Sequence, residues 1–394
     1  MRMDFTELEN RHIQAFGTKP QAKFISAGRT ELGGNHTDHN LGRVLAAMVD
    51  MEVKACANAN GTNVANLASE GYGTVSVDLS ETEPKEDEKG TTAALLRGIA
   101  QAFAKRGGTI GGFDCTMSSS VPQGSGLSSS AAVEILIGCV FNGLFNGNRF
   151  STTDLAIMGQ EAENIHFGKP CGLMDQIACA NGGIVAIDFK DPKSPAITPM
   201  SADFSKYGHD LVIVNTGGSH ADLTDDYASV PSDMKNVAAF FGKKVLRDVP
   251  VDDFYINMDA VKAVTSERAV MRAMHFFEEN ARVDEMVQAL SKGDFATYLN
   301  LVTESGHSSR NLLQNTRSQS HPEEDSLERA LDMTEAFLNG NGACRVHGGG
   351  FAGTIQTYVP AKATRTYVYM MEKEFGPGCC TVLHIRNTPA GQVD

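Results

Sequence analysis

Apolar residues recur along this chain in two rhythms: alternating or unbroken short runs, and runs with a period of three to four. The first rhythm predicts strands over residues 23–27, 44–57 and 113–118, the second of them rich in small residues. Residues 64–67 and 74–79 flank Gly71 and Gly73 and read as a β pair. The helical rhythm predicts helices over 91–106, 131–145 and 152–167. Gly107-Gly108 closes the first, and Ser151 or Thr152 caps the third. A short helix over 173–180 ends at Gly182-Gly183, ahead of strands over 183–188 and 210–216. Pro192, Pro195 and Pro199 mark a connector between those strands, and the charged stretch 81–89, with Pro84, reads as solvated loop. Farther on, helices are predicted over 232–242, 261–280, 282–292 and 324–339, and late strands over 354–359 and 381–385. No repeat occurs at solenoid spacing. The alternation implies an α+β or mixed α/β protein of enzyme size. A change of composition near 201–209 divides it into domains 1–205 and 206–394, with the last strands free to rejoin the first.

Composition narrows the function. With 394 residues the chain has room for two or three domains, and 41% hydrophobic against 21% charged residues excludes a disordered chain. The net charge is −14 and no basic block offsets it, so no nucleic-acid partner is expected. An anionic substrate stays open, because a local pocket can oppose the global sign. Eight cysteines without a C-x-x-C pair are too sparse for a disulfide framework and fit a reducing, cytoplasmic setting. Residues 1–10 carry acids and no apolar run, so no secretory leader is expected. Residues 131–145, interrupted by Glu134 and Asn142, read as too short and too polar to span a bilayer, and no membrane partner is expected.

The chemistry gathers in three glycine-rich segments. The first, residues 28–40, packs Arg29, Asn35, His36, Asp38 and His39 into one stretch. Asp38 and Asn35 offer acceptors to sugar hydroxyls, and Arg29 offers a guanidinium to phosphate. A metal set of His36, Asp38 and His39 and a plain polar turn are the alternatives. The second, residues 118–132, runs through Gly124, Ser125, Gly126, Leu127, Ser128, Ser129 and Ser130 into a helix, where free N–H groups and the dipole favour an anion. It lacks the lysine of a P-loop and the third glycine of a dinucleotide fingerprint. A Gly/Ser turn capping a core helix is the alternative. The third, residues 344–353, holds Gly348-Gly349-Gly350 before a strand. Strand propensity does not explain three successive glycines, which imply a close approach to a ligand or to the second loop, or else a tight bend.

Together these segments resemble the galactokinase branch of the GHMP kinase family. The first is similar to the signature G-R-[VT]-N-L-I-G-E-H-T-D-Y, the second to P-x-G-x-G-L-x-S-S-A and the third to G-G-G-F-G-G. Cys171-Gly172-Leu173-Met174-Asp175-Gln176 is similar to C-G-[IL]-M-D-Q, and residues 219–227 resemble H-x-L-x-x-S-x-Y. The resemblance implies an α+β, two-domain GHMP kinase fold, the N-terminal domain like ribosomal protein S5 domain 2 and the C-terminal one ferredoxin-like, with the active site in the cleft between them. It implies transfer of the ATP γ-phosphoryl group to the anomeric hydroxyl of galactose. Asp175 matches the catalytic base and Arg29 its partner. Ser130 and Glu163 match magnesium ligands, and residues 124–130 match the triphosphate loop. Asn35, His36, Asp38, Gly172 and Tyr227 match sugar-contacting positions. ATP and Mg²⁺ are the implied cofactors; the number of subunits is not legible.

Three positions depart from the pattern. Asn35 stands in place of Glu, His39 of Tyr and Ala46 of Pro. Losing the Glu removes a charge that would repel a C6 carboxylate, so a uronic acid 1-kinase is a second expectation. Plant galacturonokinases look similar in lacking this Glu and in carrying His after the Asp. A galactose-binding sensor that does not turn over is the non-enzyme alternative, although the Ser-rich loop and Asp175 are intact.

Overall fold

One long strand organises the first half of the chain. The computed structural model describes residues 3–122, 125–200, 202–217 and 223–394. Among them the strands are β1 (Ala22–Gly33), β2 (Arg43–Ala59), β3 (Val64–Ser69), β4 (Gly73–Asp78), β5 (Phe113–Ser119), β6 (Ile184–Asp188), β7 (Ala196–Met200), β8 (His209–Asn215), β9 (Ala343–His347), β10 (Thr354–Pro360), β11 (Cys380–Leu383) and β12 (Gly391–Val393). The α-helices are α1 (Phe5–Phe16), α2 (Thr92–Lys105), α3 (Ser129–Asn146), α4 (Thr152–Glu161), α5 (Met174–Asn181), α6 (Thr224–Phe240), α7 (Val251–Ile256), α8 (Met258–Val264), α9 (Glu267–Ser291), α10 (Phe295–Ser308), α11 (Ser326–Leu338) and α12 (Thr364–Phe375). β2 pairs with β1 along one edge, and on the other edge with β6 at its start and β5 at its end. The first sheet runs β12-β1-β2-β5-β3-β4, with β6 and β7 branching from β2. Ala46, Ala47, Ala55 and Ala57 are fully buried and keep β2 thin, so helices approach it closely.

The second sheet, β11-β8-β10-β9, is antiparallel throughout. The expected division at 205/206 falls in the 3₁₀ turn Phe204–Tyr207, between β7 of the first sheet and β8 of the second. β12 then returns to pair with β1, Lys23 opposite Val393. The largest core cluster unites Phe24, Leu45, Ile135 and Ile177 with Val283 and Met286 of α9. Ala273 and Phe276, earlier in α9, belong to a separate cluster with Val230 and Met234 of α6.

Several expectations need correction. The strand expected to end at Gly28 runs on to Gly33, because residues 29–33 stay paired with β2 through two register shifts. Helix α6 starts at Thr224 rather than 232 and carries Pro231 inside it. The helix expected over 261–280 is broken at Ser266, whose hydroxyl caps α9 by accepting from Ala269 N; α9 then continues unbroken through 281. Helix α3 is longer and more apolar than expected: by length and composition alone it is able to cross a membrane. It packs instead against β1 and β2, inside the protein.

Candidate active site

The first two glycine-rich segments meet at one carboxylate. Arg29 N donates to Leu127 O at 3.0 Å, and a Cβ on Gly28 would lie 2.7 Å from the same oxygen. Arg29 is buried, and its Nε and Nη2 both lie 2.7 Å from Asp175 Oδ1. Its Nη1 donates to Gly126 O, and Ser128 Oγ donates to Asp175 Oδ2. Ser128 holds φ +56°, a left-handed conformation unusual for a residue with a side chain. Asp175 sits in the first turn of α5. Burial alone would raise its pKa; the Arg29 charge, the Arg29 hydrogen bonds and the Ser128 hydroxyl outweigh it and hold the carboxyl below its ordinary value.

Beside this knot lies a pocket of about 500 Å³. Leu67, Val75 and Leu95 give it apolar walls, Tyr72 stands at its rim, and Ser129 and Ser130 line it at the α3 N-terminus. An apolar slot ending at free helix N–H groups suits a nucleotide, base first and phosphates last. Leu67, Tyr72 and Val75 come from the β3–β4 hairpin, which the sequence reading gave no role; only its apolar alternation around Gly71 and Gly73 signals it. Of the expected phosphate-loop residues, Ser129 and Ser130 line the pocket, whereas Ser128 is turned to Asp175, Ser125 donates to Pro122 O and Leu127 is buried. Gly124 lies outside the described residues, as do Ser219, His220, Ala221 and Asp222. A larger cavity of about 700 Å³, between His209, Asn300, Leu338 and Lys362, holds none of these groups.

Glu163 opens into a π-helical turn, Ala162–Phe167, where a wider helix commonly marks a functional position. It is buried beside Glu134 of α3. Gln176 Nε2 donates to both carboxylates, at 2.9 Å to Glu134 Oε2 and 3.0 Å to Glu163 Oε2. Glu134 Oε1 and Gln176 Oε1 are buried without a partner. Burial first, and Glu163 second, push the Glu134 pKa well above its ordinary value. Buried oxygens that lack donors, near a serine hydroxyl, fit a hard cation such as Mg²⁺. Among the described residues no group of three His, Cys, Asp or Glu side chains is arranged to hold a metal, so His36, Asp38 and His39 form no such set.

Asn35, His36 and Tyr227 gather around the third segment, whereas Asp38 faces Gly172. His36 Nε2 donates to Gly349 O at 2.9 Å, which leaves its buried Nδ1 an acceptor without a partner. Burial and the neighbouring His39 lower the His36 pKa to about 4, so the ring is neutral at physiological pH. Tyr227 OH donates to Gly350 O at 2.8 Å, and a Cβ on Gly349 would lie 2.2 Å from its ring. The glycine run thus approaches Tyr227 and Asn315, while Gly126 of the second segment approaches His347 and Thr354 at the run's flanks. Asn35 is fully engaged: its Nδ2 donates to Gly348 O at 2.7 Å and Glu31 Oε1 at 3.2 Å, and its Oδ1 accepts from Asn315 Nδ2 at 2.9 Å. Asp38 Oδ2 lies against Gly172, where a Cβ would come within 2.6 Å.

Residues 94–183 match the GHMP kinases N terminal domain, and residues 10–59 match the galactokinase galactose-binding signature. These matches place a GHMP kinase N-terminal domain and a galactose-binding signature within the chain. The chain is an ATP-dependent sugar kinase. The solved structure of Lactococcus lactis galactokinase complexed with galactose is similar over 99% of both chains, at 22% identity and a TM-score of 0.82. The Methanococcus jannaschii mevalonate kinase is similar over 93% of this chain and 98% of that one, at 15% identity and a TM-score of 0.64. At these identities both likenesses show the GHMP kinase fold alone.

Set beside the galactokinase signature, this kinase carries a transposition. The pattern has Asn and Glu four residues apart; the chain has Glu31 and Asn35. The carboxylate moves onto β1, where Arg345, itself fully buried, pairs with it. The pair is exchanged rather than lost, and the negative charge leaves the third-loop end of the site.

Gly172 supplies a direct test of Asp38 in this kinase. An added methyl meets only the flexible tip of Asp38, so Gly172→Ala is expected to leave Tm nearly unchanged while displacing that carboxylate. The expected result is a KM for sugar raised about tenfold, as for one lost hydrogen bond to a charged group, with KM for ATP unmoved. An unchanged sugar KM would remove Asp38 from the sugar site.

Proposed function

We propose that this kinase phosphorylates D-galactose at its anomeric hydroxyl, using MgATP. The observation that carries the reading is the Arg29–Asp175–Ser128 knot, placed between the galactose-binding signature and the N-terminus of α3. In the transfer, a bond forms between the sugar oxygen and the γ-phosphorus, the bond from that phosphorus to the ADP oxygen breaks, and the hydroxyl proton passes to Asp175. A carboxylate with a lowered pKa is a weak base, so Asp175 orients the hydroxyl and takes its proton late, as charge leaves the phosphoryl group. Arg29 holds Asp175 ionised and sets its geometry, and the α3 N–H groups and the hydroxyls of Ser129 and Ser130 bind phosphate oxygens. Ser130 and Glu163 would hold Mg²⁺, which when bound neutralises phosphate charge. His36 Nδ1 and Asp38 supply acceptors for sugar hydroxyls, with Gly172 and Tyr227 shaping the pocket around them.

The Glu31–Asn35 transposition favours a second reading, a uronic acid 1-kinase, because the charge that would repel a C6 carboxylate is withdrawn onto Arg345. A non-catalytic galactose sensor is disfavoured by the paired Asp175 and the serines at the pocket. The deciding experiment compares kcat/KM for D-galactose and D-galacturonate with MgATP. A clear galactose preference is expected. A galacturonate preference that Asn35→Glu abolishes would establish the uronate reading instead. Binding of galactose without release of ADP would mark a sensor.

A further inference from the structure

Glu134 has no part in the reading above, yet it is the most deeply buried acid near the pocket. It lies four residues after Ser130 on α3, so both side chains project from one helix face. It is only 1% exposed, and Oε1 has no partner. Its other oxygen shares the Gln176 amide with Glu163. Gln176 is fully buried too, and its own carbonyl is unpartnered. The Gln176 amide and the Cys171 thiol, which hydrogen-bonds Glu163, are few donors for two carboxylates, and neither reaches Glu134 Oε1. The ion pair of Glu163 is a long one, 3.8 Å to Lys169 Nζ, and that lysine is largely exposed. A buried carboxylate oxygen without a donor is costly unless something positive reaches it.

We infer that Glu134 supplies a second carboxylate to the divalent-cation site, through Oε1, to the ion or to one of its waters. Gln176 then positions Glu134 and Glu163 together. This rests on the reading of Ser130 and Glu163 as the cation pair. The alternative is that Glu134 is a neutral buried acid whose work is to accept from Gln176. Glutamine at 134 separates the two, because it keeps the shape and an acceptor while removing the carboxylate.

The test is Mn²⁺ binding, followed by electron paramagnetic resonance, to the full chain with a non-hydrolysable ATP analogue. Glu134→Gln and Glu163→Gln are expected to weaken Mn²⁺ about tenfold or more each, with unfolding temperatures at or above that of the unmodified chain. If Glu163→Gln weakens binding and Glu134→Gln does not, this inference is overturned and the Ser130–Glu163 reading stands. If neither does, both fall. Should Glu134→Gln not fold, anomalous scattering from Mn²⁺ in crystals of the unmodified chain decides the matter. Mn²⁺ or its bound water touching Glu134 Oε1 supports the inference; an Oε1 that touches neither overturns it.

Discussion

Asp175→Asn is expected to lower kcat by about 10²- to 10⁴-fold, the usual contribution of a positioned proton acceptor, with a small change in sugar KM. The asparagine keeps the size of the side chain and can still accept from Arg29, but it takes no proton. It also leaves the Arg29 guanidinium, buried at 8% side-chain exposure, without its counter-charge. Breaking a fully buried pair costs about 3–5 kcal/mol. Asp175 keeps 34% of its side chain exposed, and solvent there screens the pair, so a loss of about 1–3 kcal/mol is expected in chemical denaturation. A near-normal kcat in the variant would mean that Asp175 is not the proton acceptor. The pH profile is a second check. The folded pKa of Asp175 lies below its unfolded value, so the pair's stabilisation is present at neutral pH and is lost only as pH falls through that lowered value. Activity limited by Asp175 ionisation is therefore flat across the neutral range, with its acid limb below the ordinary range of an aspartate. Arg29→Met removes the charge that depresses the pKa, and the acid limb then moves upward.

Gly350→Ala is expected to be among the most damaging single substitutions in the chain for stability. The residue holds φ +81°, and a Cβ there would sit 2.1 Å from the backbone oxygen of Asn315. Backbone cannot swing aside as a side-chain tip can. Left-handed strain of about 1–2 kcal/mol adds to the displacement of the 315 segment, for a total of about 3 kcal/mol or more. Gly348→Ala is the internal control: φ is +72°, but nothing lies within 4 Å, so only the strain remains. The damage reaches the site as well, because Asn315 donates to Asn35 Oδ1 and to Gly349 O. Denaturant titration of both variants, with sugar KM as the second readout, checks the ranking. Equal losses at 348 and 350 would show that the Asn315 contact carries no weight.

Much of this site is legible in the sequence because it rests on residue types at short spacing. Arg29 and the serines at the start of α3 are readable as anion-binding chemistry, whereas Asp175 is singled out only by the family resemblance; the structure brings Arg29, Ser128 and Asp175 together. What escapes is everything fixed by distant contact. Ser128 reads as one more phosphate ligand until its left-handed backbone turns it toward Asp175. Glu31 reads as one more residue of the first glycine-rich segment until Arg345, more than 300 positions away, closes on it. Glu134 reads as a flaw in an apolar helix, since no local pattern reveals that Gln176 and Glu163 stand opposite. The fold follows the same division. The β3–β4 hairpin and α2 show in local periodicity, whereas the extension of β1 to Gly33 depends on β2 remaining alongside. The start of α6 is hidden by Pro231, which local rules place at a helix beginning.

Helix α9 has a consequence for how this kinase comes apart. Its first half is sunk into the cluster built with α6, and its second half into the cluster beneath β1 and β2. A 25-residue rod anchored at both ends behaves as a shared beam: loosening one end removes support from the other. With β12 stitched back to β1, the chain also crosses between the two sheets twice. The halves therefore melt together as one cooperative unit, and a ligand that tightens the cleft raises the resistance of the whole chain to unfolding.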